Sequence, residues 1–181
     1  KGTKISERVM GHDKTYEGIF RLGIETDSQD ADGQVVAEKD AAAITAAQVA
    51  EQMRLRLGDQ MQVPPMVSAI KVDGVPLYKL ARKGQTVERQ AKLIHVYRFD
   101  LLDFTPPDVR FVVECTKGTY VRTLAHDIGQ ALGVGAHLVQ LRRTKIGRFE
   151  LADATSLDDL LARPSLEDKV LSLAAALPLL A

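Results

Sequence analysis

A strand-like run ending at Cys115 passes through Thr116-Lys117-Gly118-Thr119 into Tyr120-Val121-Arg122-Thr123-Leu124, where a helical pattern opens. The glycine turn puts Arg122 in the first turn of that helix. A guanidinium presents a planar fork that pairs with a carboxylate or a phosphate; the competing reading is an ordinary surface arginine. Tyr16 lies within an aromatic and β-branched run, where its ring either packs in the core, the commoner role of a single Tyr, or stacks on a base. Ser28, Asp30, Asp32 and Gly33 fall at offsets 1, 3, 5 and 6 of a calcium loop. Offset 12, which needs a bidentate Glu, is Lys39, and the first ligand is Ser. A turn stabilised by aspartate side chains is the better reading. His12, His95, His126 and His137 share no metal-ligand spacing with one another, with Cys115 or with an acid. On that spacing no metal site is expected, and neither a G-x-S-x-G nucleophile elbow nor a glycine-rich phosphate loop occurs.

The elements that must position these residues alternate without a regular βαβ beat. Residues 14–24 predict one strand, Asp27 to Gly33 a loop, and Gln34 to Glu38 a partner strand. Thr45 and Gln48 fit a capping box for a helix with Val49, Met53 and Leu57 on one side, ended by Gly58. Pro64-Pro65 excludes helix and central strand; Val67 to Val72 reads as a short strand before a turn at Asp73-Gly74. Leu77 to Lys83 predicts a short basic helix closed by Gly84. Residues 93–104 and 109–116 predict an antiparallel pair joined at Pro106-Pro107, and Tyr120 to Leu132 a helix with Leu124 and Ile128 inward. His137 to Phe149 is a strand with a basic middle, and Thr155 or Ser156 caps a last helix through Leu161. The fold class is α+β with a mixed, largely antiparallel sheet.

The 181 residues suffice for one domain with a real core. With 24 Lys and Arg against 24 Asp and Glu the net charge is zero, which argues weakly against wholesale coating of a polyanion. The charge is segregated, however. Asp27, Asp30, Asp32, Glu38 and Asp40 form one acidic stretch, and residues 150–168 carry another. Lys71, Lys79, Arg82, Lys83, Arg89 and Lys92 form one basic stretch, and Arg142, Arg143, Lys145 and Arg148 a second. These are either solvated surfaces or one basic face for a polyanion. A lone Cys115, no signal-peptide pattern and no bilayer-length apolar run point to the cytoplasm, with no membrane partner. The first residue is Lys1, which leads to the expectation that residues precede it.

Four ordered blocks resemble the bacterial tRNA pseudouridine synthases of the TruB type. Lys14-Thr15-Tyr16, Leu22-Gly23, Thr26-Asp27-Ser28 and Asp30 to Gly33 make the first; Pro64 to Lys71 with Gly74, Leu77-Tyr78, Ala81-Arg82 and Gly84 make the second. Cys115 to Leu124 is the third. Gly135-Ala136-His137 and Leu141-Arg142-Arg143-Thr144 with Gly147 and Phe149 are the fourth. The resemblance implies the pseudouridine synthase fold, a bent sheet flanked by helices. It implies isomerisation of uridine to pseudouridine at position 55 in the tRNA T-loop, with the base flipped out and no cofactor. By position, Tyr16 is the residue that stacks on the flipped base, Arg122 the partner of the catalytic aspartate and Leu141 the apolar wall. Lys71, Lys79, Arg82, Lys83, Arg142 and Arg143 contact the T-arm of tRNA.

Residues 1–155 are then expected as the catalytic core, with a basic RNA-gripping insert at about 64–92. Residues 156–181 are expected as a helix and linker towards an RNA-binding domain. The family's G-x-L-D-P-x-A motif, about thirty residues before the Tyr16 position, has no match among these residues, so this chain alone is expected to be inactive. A monomer is expected. Thr116, Ser28 and Val67 are minor departures. The alternatives are a non-catalytic RNA-binding module on the same scaffold and a calcium-binding or structural domain that uses the acidic loop.

Overall fold

The computed structural model describes residues 11–72, 74–172 and 175. In chain order its strands are β1 (Lys14–Leu22), β2 (Ile24–Thr26), β3 (Val35–Glu38), β4 (Gly58–Gln62), β5 (Lys71–Val72), β6 (Val75–Pro76), β7 (Lys92–Thr105), β8 (Asp108–Cys115), β9 (Ala136–Ile146) and β10 (Phe149–Glu150). The helices are α1 (Ala46–Arg54), α2 (Leu77–Ala81), α3 (Val121–Ala131) and α4 (Leu157–Leu161). Six strands form one sheet in the order β10-β9-β1-β8-β7-β4, and every pairing in it is antiparallel. A parallel bridge, Asp30 to Leu138, ties the acidic turn to β9. No described helix is long and apolar enough to cross a membrane.

Alternation along the strands decides the two faces. Phe20 and Leu22 of β1, Val109, Phe111 and Val113 of β8, and Ile94, Val96 and Phe99 of β7 point to one side and are buried. α1 covers this face with Val49 and Met53, and α3 with Leu124, Ala125 and Ile128. Phe111 is the hub: its ring lies 5.7 Å from Phe20 and, edge-on, 5.5 Å from Phe99. Losing such a ring costs about 3–5 kcal/mol. The opposite face carries the ion pairs Arg21–Asp108 and Arg98–Asp100 and the longer Arg110–Glu17 contact at 4.0 Å.

Several expectations change. The single strand over residues 14–24 breaks at Gly23, whose φ of +85° turns the chain into β2, a separate ribbon with β3. The capping box is present, with Gln48 N–H donating to Thr45 Oγ1 at 3.3 Å and Thr45 N–H to Gln48 Oε1 at 2.9 Å. The helix ends at Arg54, however, leaving Leu57 45% exposed, and Gly58 opens β4. That strand escaped the sequence reading because Gly-Asp-Gln-Met-Gln lacks the β-branched residues of a strand; pairing with β7 supplies what propensity does not. Between Val67 and Val72 only Lys71–Val72 pairs, closing onto β6, and Asp73 lies outside the described residues. The 137–149 strand turns at Gly147 into the short β10. Of the two cap candidates it is Ser156 whose hydroxyl accepts from Asp159 N–H.

α3 reaches the sheet through Gly129. A Cβ there would lie 2.2 Å from Ala136 N and 2.3 Å from the Gly135 carbonyl carbon. Gly129→Ala should therefore destabilise the protein, lowering its urea midpoint, although Ala is about 1 kcal/mol the better helix former. A raised midpoint would show that α3 can move off β9. Burial pushes the Cys115 thiol up to about 11. At pH 8 the thiolate is then scarce, so iodoacetamide should leave the folded chain unmodified by mass and alkylate it in urea.

Candidate active site

The first turn of α3 is set by a residue from the sheet edge. Tyr120, its N-cap, has no side-chain cap of its own kind. Instead Gln62 at the end of β4, 4% exposed, accepts from Tyr120 N–H at 2.8 Å and donates to Tyr120 C=O at 3.1 Å. One amide thus reads both backbone groups and fixes where the following residues point.

Two residues on stands Arg122. Its guanidinium donates one hydrogen bond to Asp30 Oδ2 at 2.5 Å and another to the carbonyl oxygen of Val67. The side chains of Arg122 and Asp30 are 19% and 24% exposed, so the pair is largely withdrawn from water. Tyr120 presents its ring 5.8 Å from the guanidinium carbon. Asp30 is held in turn by its own loop: Ser28 Oγ donates to Asp30 Oδ1 at 2.6 Å, and Thr26 Oγ1 donates to Asp30 C=O at 2.7 Å. Asp27 Oδ1 accepts Gln34 N–H at 2.9 Å. The acidic loop is therefore a turn whose carboxylates close onto their own backbone and onto one arginine.

Asp27, Asp30, Asp32, Val67 and Arg122, with Tyr78 of α2 and Arg82 just after it, line an open cleft of about 500 Å³. α2 carries Lys79, and Lys83 follows it; with Lys71 on β5 and Arg82 they are exposed. The backbone behind α2 is tied to the Arg122 carbonyl partner, because Tyr78 N–H donates to Ser68 C=O at 3.0 Å and Leu77 N–H to Ile70 C=O at 2.7 Å.

Tyr16 and Leu141 lie on neighbouring strands. Tyr16 pairs with Arg143 and Gly18 with Leu141, so Tyr16, Leu141 and Arg143 share the face that α3 covers, and Leu141 is diagonal to Tyr16. Tyr16 is partly buried against the core, and Leu141 is 44% exposed. Burial pushes the Tyr16 hydroxyl above its ordinary value, while the positive charge of nearby Arg143 pulls the other way. Arg142 pairs with Glu17 and points to the opposite face, so the two adjacent arginines cannot serve one surface. Among the described residues no hydrogen bond or ion pair joins Arg122 to Tyr16 or Leu141; the link is the bridge of Asp30 to Leu138 on the strand that carries Leu141. The role of Asp30 as the partner of Arg122 was not foreseen, since nothing in local spacing relates residues 92 positions apart.

Residues 1–121 match the TruB family pseudouridylate synthase N-terminal domain, and residues 122–177 match the tRNA pseudouridylate synthase B C-terminal domain, so the boundary falls in the first turn of α3. A tRNA pseudouridine synthase B from Opitutus terrae is 51% identical over 180 residues, covering 98% of this chain and 75% of that protein. One from Pseudomonas aeruginosa is 48% identical over 160 residues, covering 88% of this chain and 52% of that protein. The chain thus spans three quarters of one relative and about half of the other. The crystal structure of a Cbf5-Nop10-Gar1 complex has a similar chain, with a TM-score of 0.64 and 28% identity over 90% of this chain and 40% of that one. The archaeal box H/ACA Nop10-Cbf5 structure shares the fold at 24% identity and a TM-score of 0.54.

The Arg122–Asp30 pair makes its own prediction. Asp30→Asn leaves a half-enclosed cation without its anion and should cost about 1–3 kcal/mol of stability. Combining it with Arg122→Met should cost less than the two single changes added, a coupling measurable by urea denaturation of the double-mutant cycle. Additive losses would mean that the two groups do not interact in solution.

Proposed function

This chain belongs to the TruB family of pseudouridylate synthases, and on that premise we propose that it isomerises uridine to pseudouridine in tRNA, at position 55 of the T-loop. In that reaction the N1–C1′ bond breaks, the base turns, a C5–C1′ bond forms, C5 loses its proton and N1 gains one. Atoms and electrons balance within the substrate, so no oxidant is consumed. The target base must leave its stack to be reached.

The observation that carries the reading is the Arg122 guanidinium, held by Asp30 and Val67 in a cleft bordered by the basic helix α2. A carboxylate nucleophile in such a cleft needs a fixed cation to stay ionised. Arg122 is a cation whose orientation is already set. We read Tyr16 as the ring on which the flipped base stacks and Leu141 as the apolar wall beside it. Lys71, Lys79, Arg82, Lys83 and Arg143 then contact phosphates of the T-arm, positioning without specifying; Arg142, on the other face, meets a different part of the RNA. Residues 1–155 serve as the catalytic core in this reading, and 156–181 as a helix and connection.

Three measurements test it. Replacing Lys79, Arg82 and Lys83 by Ala should weaken tRNA binding and flatten the salt dependence by about one unit of slope per lost phosphate contact; an unchanged slope makes α2 a solvated surface. In a form of the enzyme that carries the family's aspartate motif, Arg122→Lys keeps the charge and loses the fork. Single-turnover rate should collapse while the tRNA Kd holds. A near-native rate would remove Arg122 from the reaction and favour a phosphate-clamp role. The 181 residues hold no G-x-L-D-P-x-A string, so by themselves they should release no tritium from uridine-labelled tRNA. Release would move the nucleophile to an aspartate of this chain, Asp30 first.

A further inference from the structure

Gln29 is the one non-glycine residue with positive φ among the described residues, at +66°. Left-handed backbone is unfavourable for a residue with a Cβ and persists where its surroundings impose it. Three hydrogen bonds hold it here. Gln29 N–H donates to Thr26 C=O at 3.1 Å within the turn, Leu138 N–H donates to Gln29 C=O at 3.0 Å, and Thr123 Oγ1 donates to the side-chain oxygen of Gln29 at 2.8 Å. Thr123 is 4% exposed, so its hydroxyl has little access to water as a substitute partner.

Gln29 immediately precedes Asp30, and Thr123 immediately follows Arg122. Residues 29–30 and 122–123 therefore form two adjacent rungs between the acidic turn and the helix. The bonds inside the turn, from Thr26 and Ser28 to Asp30, fix its internal shape. They say nothing of where the turn sits against α3. That placement comes from two bonds that cross between them, Arg122 to Asp30 and Thr123 to Gln29, while Gln130 holds the neighbouring β2–β3 ribbon through Glu25 Oε2 at 2.8 Å. Of these only the Thr123 bond acts on the strained residue beside the carboxylate.

We infer that Thr123 is a positioning residue: through Gln29 it fixes the left-handed turn that aims the Asp30 carboxylate at Arg122. The functional part of this inference rests on Arg122 belonging to the tRNA-isomerising site. A hydrogen-bonded ion pair at 2.5 Å tolerates little displacement, and a misplacement near 1 Å in an active site can cost about 100-fold in rate.

The test pairs two substitutions at Thr123 with one at Gln29. Thr123→Val keeps the shape and removes the hydroxyl; Thr123→Ser keeps the hydroxyl and leaves a methyl-sized void. Gln29→Gly accepts the positive φ without strain and removes the amide. The side-chain nitrogen resonances of Arg122, identified by their loss in Arg122→Lys, are followed by NMR in this chain. In the aspartate-bearing enzyme, single-turnover rate and tRNA Kd are measured. Thr123→Val and Gln29→Gly should both broaden or shift the Arg122 resonances and lower the rate about 10- to 100-fold at unchanged Kd, with Thr123→Ser close to the parent. A residue that merely packs gives the reverse order, since Ser loses the methyl and Val does not. That order, or parental resonances and rate in Thr123→Val and Gln29→Gly, overturns the inference. Should Thr123→Val fail to fold, Gln29→Gly at the half-buried position decides alone. A parent enzyme without isomerase activity defeats the functional reading instead, and the NMR comparison still decides whether Thr123 positions Asp30.

Discussion

A guanidinium withdrawn from water must be given acceptors, and Arg122 obtains them from two distant stretches of chain, the turn at Asp30 and the loop at Val67. A charge left unpaired in such a place costs several kcal/mol, so these three segments are bound to one geometry. The acidic turn, the approach to the basic helix and the start of α3 meet at that cation. Their meeting makes the cleft: α2 stands behind Val67, and the turn stands across from it with Asp27 and Asp32.

α3 is the element that allows this, because its two sides do different work. Leu124, Ala125 and Ile128 enter the core, and Gly129 lets the helix backbone touch the start of β9. Arg122, Thr123 and Gln130 face the polar turn and ribbon instead. The apolar side gives the helix its stability and the polar side spends its few hydrogen bonds on placement. At its N-terminus Gln62 anchors Tyr120 to the sheet edge, so the position of Arg122 is referred to the six-stranded sheet. The sheet in turn sets Tyr16 and Leu141 beside one another by register, without any contact to Arg122.

Much of the scaffold was legible in the sequence because its signals are local. The Thr45–Gln48 capping box, the strand pair around Pro106-Pro107, the helix over 121–131 and the short helix opening at Leu77, which ends at Ala81 rather than Lys83, all follow from propensity, periodicity and turn chemistry within a few residues. The family resemblance was legible for a similar reason: its blocks are short strings in a fixed order. Local signals failed where they were weak or contradicted. The polar stretch Gly58–Gln62 became a strand because β7 offered it partners, and the run through Gly23 broke because a positive φ was needed there.

The sequence by itself determined most of the elements, which side of each is apolar, and that an arginine opens a helix after a glycine turn; it did not determine the polar strand β4. It could not say what that arginine touches. Asp30 lies 92 residues away, Gln29 lies 94 from Thr123, and Gln62 lies 58 from Tyr120. It equally could not say that Arg142 and Arg143 part company, since which neighbour faces the helix depends on the register of β9 against β1. Periodicity is a property of one segment and fixes only its own faces. Contacts across the chain depend on how strands register and where a helix has room to approach, and those are settled only when the sheet and α3 have packed.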